Sequence, residues 1–280
     1  MNKILILGAS GFIGNTLYKE LLPYFDVYGT YCSLNENMLE NQVLFKFNVE
    51  TDTISILLNK IKPNYIISSL RGDFKALYKV HQQIYDYVKT RVNCCFLFLS
   101  TVNVFDGKFA FPSYENDTLL AESEYGKYKI SVERMFYKLP EKKYLILRLP
   151  MVLGVNSPRV YQLKQASIHN AVFEVFPNLI ISITTADKIA QQIHYIINKK
   201  LKGIYHLATN DVIHHSDLFQ ELAKRLELKK IIFTQAYTSN EDRYLAILPK
   251  VNKLPKTYRI SVAQVIEYCT LKEEIKTLKN

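Results

Sequence analysis

The sequence has 280 residues, of which 48% are hydrophobic and 22% charged, as in ordinary globular proteins. A chain of this length can bury a sizeable core, as one domain or as two closely packed lobes. Its formal net charge is +10, from 36 Lys and Arg against 26 Asp and Glu. The lysines are scattered, and no basic run alternates with aromatic residues, so no nucleic-acid partner is expected. The surplus charge favours anionic ligands, although charge alone does not identify them.

No segment approaches the roughly 18 uncharged apolar residues that a membrane-spanning helix requires, so no membrane partner is expected. At the amino terminus, the apolar run Ile4–Leu7 leads into a glycine motif, which predicts a buried strand rather than a signal peptide. Adjacent His214 and His215 are not accompanied by a Cys or carboxylate cluster, so no metal site is predicted. Reduced thiols, and with them a cytoplasmic location, are expected from four cysteines without metal-ligand spacing: Cys32, Cys94, Cys95 and Cys269.

Over the first two-thirds of the chain, short β-branched or aromatic runs alternate with helical patterns. Apolar strands separated by amphipathic helices predict an α/β fold with a doubly wound parallel sheet, covered on both faces. The predicted strands are Lys3–Leu7, Val27–Thr30, Val43–Phe47, Tyr65–Ser69, Phe96–Ser100 and Tyr144–Leu149. The predicted helices are Asn15–Leu22, Thr53–Ile61, Ala76–Thr90 and Tyr125–Tyr137.

After Pro150 the pattern is less regular, and residues 155–178 carry few signals. Further on we predict a strand at Asn178–Ile183, a helix at Ala186–Asn198 that begins after Thr185 or Asp187, and a strand at Gly203–Leu207. A last clear helix runs from Ser216 through Leu226. These elements predict a Rossmann domain of residues 1–154 plus 179–207, and a smaller C-terminal substrate lobe of residues 155–178 plus 208–280.

A glycine loop, G-x-x-G-x-x-G, lies between the first predicted strand and the first helix. Glycines here permit a tight turn, a close approach of the backbone to a pyrophosphate, and close packing of helix on strand. The phosphate would lie at the helix N-terminus, where free N–H groups and the helix dipole favour negative charge. The loop therefore predicts a dinucleotide site formed by Gly8, Ser10, Gly11, Phe12, Ile13 and Gly14.

The end of the second strand is expected to contact the adenosine ribose, where a carboxylate would favour NAD. This chain has Thr30-Tyr31-Cys32-Ser33 there, with no acidic residue and no Arg. No carboxylate would repel a 2′-phosphate, so the residues favour NADP slightly over NAD.

Tyr125 and Lys129 are four residues apart on a predicted helix and so share one face. An ammonium beside a phenol is expected to lower the pKa of the phenol, which can then give a proton to a developing alkoxide. In a chain with 20 Tyr such a pair also arises by chance. Ser100-Thr101 strengthens the interpretation, because it lies at the carboxyl end of a predicted strand, where open α/β sheets bind ligands.

Several motifs together resemble the dTDP-4-dehydrorhamnose reductase group of extended short-chain dehydrogenases, and the similarity continues to about residue 210. The most specific is Ser100-Thr101-Val102-Asn103-Val104-Phe105-Asp106-Gly107. The others are the glycine loop, Pro112-Ser113-Tyr114-Glu115-Asn116-Asp117, Tyr125-Gly126-Lys127-Tyr128-Lys129 with Glu133, and Arg148-Leu149-Pro150. The resemblance implies an NAD(P)-dependent oxidoreductase that reduces a keto group of a nucleotide-activated sugar in polysaccharide biosynthesis.

The resemblance also implies roles for individual residues. Thr101 would be the catalytic hydroxyl, Tyr125 the general acid and Lys129 its electrostatic partner, which also holds the nicotinamide ribose. Further cofactor contacts are implied for Tyr31, Asn48, Val49, Ser69 and Leu70.

The sequence departs from the group at three places: Val102-Asn103, Leu70-Arg71 and Asn48. Val102-Asn103 replaces the acidic pair of sugar dehydratases and argues against dehydration. A nucleotide-sugar epimerase and a non-catalytic NADP-binding regulatory subunit of the same fold stay open as alternatives. So do the identity of the sugar and a homodimer. We interpret Arg71-Gly72-Asp73 as the turn into a helix, with phosphate or substrate binding as the alternative.

Overall fold

The structure, a computed structural model, describes residues 1–33, 43–237 and 239–271. Strands and helices alternate through the first half of the chain, as the sequence predicts. The strands are β1 (Lys3–Leu7), β2 (Asp26–Tyr31), β3 (Leu44–Lys46), β4 (Tyr65–Ser68), β5 (Cys95–Thr101), β6 (Tyr144–Leu149), β7 (Met151–Leu153), β8 (Val172–Val175), β9 (Leu179–Ile181), β10 (Ile183–Thr185), β11 (Gly203–His206), β12 (Ile213–His214), β13 (Ile232–Gln235) and β14 (Arg243–Leu245).

The helices of the described residues lie on both faces of the sheet and in the C-terminal part of the chain. They are α1 (Phe12–Leu21), α2 (Ile54–Ile61), α3 (Phe74–Thr90), α4 (Glu124–Phe136), α5 (Pro158–Ile168), α6 (Ala186–Asn198), α7 (His215–Arg225) and α8 (Val262–Cys269). Short 3₁₀ helices occur at Val102–Phe105, Glu141–Lys143 and Lys256–Tyr258. No helix among the described residues has the length and apolar character to cross a bilayer.

The central sheet is parallel throughout, in the order β11-β6-β5-β4-β1-β2-β3. The chain turns from one half of the sheet to the other between β1 and β4, and this is where doubly wound sheets bind ligands. Side chains alternate along each strand: Ile4 and Ile6 pack with α1 and α6, while Leu5 and Leu7 pack with α2 and α3. The predicted doubly wound sheet is confirmed.

A third hydrophobic cluster lies outside the two faces of this sheet. It joins side chains of α5, α7 and α8 with those of the short strands β8, β9 and β10. Within it Phe173 and Phe219 pack against each other, with ring centroids 4.9 Å apart. This cluster is the core of a smaller layer of structure over the carboxyl ends of the main strands.

One prediction for this region is wrong. The strand predicted at Asn178–Ile183 does not join the main sheet: β9 pairs with β12 and β14, and β10 pairs with β7. Ile181 and Ile183 belong to the third cluster. A short apolar run predicts a buried strand, but it does not indicate which sheet the strand joins. Residues 155–178 are also more regular than predicted, since they form α5 and β8.

Candidate active site

A cavity of about 690 Å³ lies at the carboxyl ends of the central strands. One wall is formed by the glycine loop and the ends of β2, β4 and β5. The opposite wall comes from Pro150–Val152 and the first turns of α5, where Arg159 and Gln162 line the cavity. This position, between the sheet and the smaller layer, is the one expected of a ligand site in a doubly wound fold.

The glycine loop has the geometry that a diphosphate requires. All six residues predicted for it line the cavity: Gly8, Ser10, Gly11, Phe12, Ile13 and Gly14. Helix α1 begins at Phe12, and neither a side-chain cap nor an acidic residue occupies its first turn, so its first N–H groups keep their donor capacity. A Cβ on Gly14 would lie 2.1 Å from the Gly8 carbonyl oxygen, so only glycine allows α1 this close to the loop.

The other predicted cofactor contacts lie at the ends of β2, β3 and β4. Tyr31, Val49, Ser69 and Leu70 line the cavity, as predicted. Asn48 does not line it; its side-chain oxygen accepts a hydrogen bond from the backbone N–H of Glu50 at 3.0 Å. An Asn at this position satisfies the local turn rather than reaching toward the cavity.

The three residues predicted to be catalytic meet in the cavity. Thr101 ends β5, Tyr125 lies in the first turn of α4, and Lys129 follows one turn later. The Thr101 hydroxyl lies close enough to the Tyr125 phenol to act on its pKa. The Nζ of Lys129 donates to the carbonyl oxygen of Leu99 at 2.8 Å and lies 5.6 Å from the centre of the Tyr125 ring. A hydroxyl pair with an adjacent amine is suited to proton transfer to a bound oxygen.

The expected effect of Lys129 on Tyr125 is not what the structure shows. Burial raises the pKa of Tyr125 above its ordinary value, and the hydrogen bond to Thr101 and the charge of Arg71 only oppose this effect. Burial also lowers the pKa of Lys129 from 10.5 to about 7. The charge of Arg71 lowers this pKa further, whereas the charge of Glu133 raises it. The prediction of a lowered tyrosine pKa is therefore wrong here, because desolvation outweighs the effects of Thr101 and Arg71.

Val102 and Asn103, one of the places where the sequence departs from the dTDP-4-dehydrorhamnose reductase group, do not line the cavity but directly follow Thr101, which does. Val102 is buried in a small apolar cluster with Ile130 of α4. The side-chain oxygen of Asn103 accepts a hydrogen bond from Thr101 at 3.0 Å, and the Asn103 backbone N–H donates to the Thr101 hydroxyl. Asn103 therefore orients Thr101 and leaves no carboxylate beside it.

A buried polar network beneath the site was not predicted from the sequence. Ser100 points away from Thr101 and donates to Glu133 of α4 at 2.5 Å. Glu133 also forms an ion pair with Arg148 of β6 at 2.8 Å, and both side chains are almost completely buried. Tyr137 donates to the same carboxylate at 2.6 Å. The sequence signal for this network was that Glu133 and Arg148 both belong to the motifs shared with the dTDP-4-dehydrorhamnose reductase group.

Most of the remaining residues singled out from the sequence lie at the starts of helices. Asp73 caps the N-terminus of α3, and Arg71 lines the cavity, so the segment is both a helix turn and part of the wall. Thr185, not Asp187, caps α6. His214 precedes α7 and His215 begins it, and no group of three or more His, Cys, Asp or Glu placed to hold a metal occurs in the described part of the chain.

Comparison with known proteins places these features in a family. The family model described as RmlD substrate binding domain matches residues 82–278, well beyond the point at which the sequence resemblance fades. No curated protein sequence matches the chain.

Solved structures with this fold are distant in sequence. A dTDP-4-dehydrorhamnose reductase from Clostridium acetobutylicum is 20% identical, with a TM-score of 0.74 over 95% of this chain and 98% of that one. The Bacillus anthracis enzyme of the same name, in complex with NADP, is 17% identical, with a TM-score of 0.74 over 96% and 98%. A UDP-glucuronic acid 4-epimerase from Bacillus cereus, in complex with NAD, is 18% identical, with a TM-score of 0.76 over 96% and 97%. These likenesses show a common fold. Because the family model covers more than half of the sequence, the chain belongs to the RmlD substrate-binding domain family.

Proposed function

We propose that the protein is an NAD(P)H-dependent reductase of a keto group on a nucleotide-activated sugar. The observation that carries this proposal is that Tyr125, Thr101 and Lys129 meet in the cavity that the glycine loop also lines. Family membership supports the same function. So do the names of the two reductases that share the fold.

The cavity fits a nicotinamide dinucleotide. The uncapped N-terminus of α1 and the backbone of Gly11 and Phe12 would hold the pyrophosphate, and a larger residue at Gly14 would close this cradle. Tyr31, Val49 and Ser69 would line the adenosine half. The cofactor, when bound, supplies a hydride to the carbonyl carbon of the substrate.

The protein's own groups supply the proton and the orientation. The Tyr125 phenol gives its proton to the carbonyl oxygen as the new C–H bond forms, so that the carbonyl becomes a hydroxyl and Tyr125 takes a proton back from solvent. The Thr101 hydroxyl, which donates to Asn103 in the structure, would turn its proton to the carbonyl oxygen and hold it next to the phenol. Lys129 in its ammonium form stabilises the tyrosinate that is left.

The Tyr125→Phe variant tests this proposal. Removing the phenolic proton donor should lower the rate of NADPH oxidation by roughly 10²–10⁴-fold, the usual contribution of a general acid. The measurement is the loss of NADPH absorbance on addition of a dTDP- or UDP-linked 4-keto sugar. NADPH binding, followed by fluorescence, should persist in the variant.

Tyr78→Phe is the matched control, because Tyr78 lies on α3 and does not line the cavity. It should retain the full rate. Full turnover by Tyr125→Phe would refute the assignment of Tyr125 as the acid.

The two alternatives predict different results in the same assay. An epimerase would use the same three residues but would consume no NADPH in net turnover, whereas a reductase oxidises one NADPH for each sugar. A non-catalytic regulatory subunit would require Leu70, Arg71 or the smaller layer to fill the space in front of the catalytic residues. Leu70 and Arg71 instead line an open cavity of about 690 Å³, which favours the enzyme.

Three further proposals accompany the activity. The Rossmann domain, predicted as residues 1–154 plus 179–207, would bind the cofactor, and the lobe predicted as residues 155–178 plus 208–280 would bind the substrate. Because Ile181 and Ile183 pack in the third hydrophobic cluster, we assign Leu179–Thr185 to the smaller lobe. A cytoplasmic enzyme of polysaccharide biosynthesis is supported by the free cysteines and by the substrate class. A homodimer stays open and would be measured by sedimentation.

A further inference from the structure

The charges that line the cavity are all positive. Arg71, Lys129 and Arg159 line it, and no Asp or Glu is among the lining residues. In the proposed mechanism Lys129 stabilises the tyrosinate of Tyr125. Arg159 lies on the opposite wall, where it donates to Gln162 at 3.0 Å and its guanidinium lies 5.3 Å from the centre of the Phe173 ring. Neither arginine has a role in the mechanism above, but only Arg159 has these partners within the protein.

Arg71 has no counter-ion in the described residues 1–33, 43–237 and 239–271. The nearest carboxylate in sequence, Asp73, caps α3 and accepts hydrogen bonds from the backbone N–H groups of Lys75 and Ala76 at 3.0 and 2.9 Å. Its negative charge is therefore directed at the helix N-terminus, where the helix dipole stabilises it. The guanidinium stays available to a ligand.

The segment that carries Arg71 is fixed against the catalytic helix α4. Gly72 has φ +152°, and a Cβ there would approach a methyl group of Val49 to 3.0 Å, so the turn packs closely on the cavity wall. Phe74 stacks on Tyr128 with ring centroids 5.2 Å apart and contacts Tyr125 at 5.9 Å. This packing places Arg71 near the reacting groups, and its charge acts on both Tyr125 and Lys129.

We propose that Arg71 is a specificity residue that binds a carboxylate on the sugar itself, so that the substrate is a keto sugar with an acidic group in addition to its diphosphate. The inference rests on the proposed function and names its substrate class. A guanidinium forms two parallel hydrogen bonds with a carboxylate, which gives both orientation and affinity. A sugar with a neutral methyl or hydroxymethyl group in that position would offer the guanidinium no anionic partner.

The test is a binding measurement that needs no turnover. Protein saturated with NADP is titrated with UDP-glucuronic acid and with UDP-glucose, which differ only in a carboxylate against a hydroxymethyl group. We expect the uronic acid to bind about tenfold or more tightly, as a hydrogen-bonded charge pair provides. Arg71→Gln should remove this preference, and Arg71→Lys should keep part of it, because it keeps the charge but loses the two-point geometry.

Lys75→Gln is the matched control: Lys75, like Arg71, is an exposed cation of this segment, but it does not line the cavity. It should leave the preference for the uronic acid intact. Equal affinity for the two sugars in the unchanged protein, or binding of neither, would overturn the proposal. So would an Arg71→Gln variant that still discriminates between them.

Two further results separate this inference from its alternatives. If Arg71→Gln weakened NADP binding tenfold while the sugar preference stayed, the guanidinium would bind a cofactor phosphate, and the proposal would be wrong. If the sugar preference depended on Arg71 but no keto sugar oxidised NADPH, the proposed reductase function would fail and the binding role of Arg71 would stand.

Discussion

At the scale of single residues, Lys129 couples the site to the stability of the fold. Its side chain is 7% exposed, and burial lowers its pKa to about 7. In the unfolded chain the same group stays charged up to about pH 10.5. Folding therefore releases a proton from Lys129 between pH 7 and 10.5, and in this window the free energy of unfolding rises with pH. Below pH 7 the penalty for burying the ammonium is present in full.

Lys129→Met makes this contribution measurable, because methionine is similar in length and does not titrate. Between pH 7 and 9 the stability of the unchanged protein should rise relative to that of the variant by about 1.4 kcal/mol per pH unit. Urea unfolding of both proteins at pH 6, 7, 8 and 9 provides the comparison. A difference that stays constant over this range would show that Lys129 keeps its ordinary pKa in the folded protein.

At the scale of elements, helix α4 connects the candidate catalytic groups to the sheet. One of its faces carries Tyr125 and Lys129, and one turn later Glu133 forms the buried ion pair with Arg148 of β6. Arg148 also donates to the carbonyl oxygen of Glu115 at 3.0 Å. The network therefore fixes α4, β5 and β6 relative to one another, and the positions of Tyr125 and Thr101 depend on it.

Glu133→Gln should destabilise the protein strongly, because it leaves the Arg148 guanidinium buried without its counter-ion. Removing one partner of a buried pair typically costs about 3–5 kcal/mol. Glu124→Gln is the control on the same helix, since the Glu124 side chain is 81% exposed and its pair with Lys127 should contribute less than about 1 kcal/mol. Thermal unfolding of the two variants gives the comparison, and equal losses would show that the buried pair contributes no more than the exposed one.

The elements also show which parts of the fold could be predicted from the sequence. The strands of the central sheet could be predicted because most of them are short apolar or aromatic runs between helical patterns. Helix α5 was missed although Ser157 and Pro158 mark its start, because only Val160, Leu163 and Ala166 form its weak buried stripe. Helix α8 was missed although Ser261 and Gln264 form a capping box, which is a sequence signal for a helix N-terminus.

At the scale of the whole molecule, the candidate site could be predicted where a motif fixes it locally and not where distant segments meet. The glycine loop, Tyr125 and Lys129 each lie in a short pattern whose chemistry is apparent from the residues. Arg159 reaches the same cavity only because α5 packs over the ends of the main strands. That arrangement depends on the pairing of short strands, and their sequences do not specify their partners.

The charge of the whole molecule leads to a last prediction. With a net charge of +10 and a cavity lined by cations, an anionic sugar nucleotide should be attracted over a distance. The Debye length falls from about 30 Å at 0.01 M salt to about 8 Å at 0.15 M, so screening should lower kcat/KM severalfold between these concentrations. The rate at saturating substrate should change much less, because it does not include the encounter. Steady-state kinetics over a range of KCl concentrations measures kcat/KM and the saturated rate, with sucrose of equal osmolarity as the control. A kcat/KM independent of salt would show that long-range attraction does not contribute.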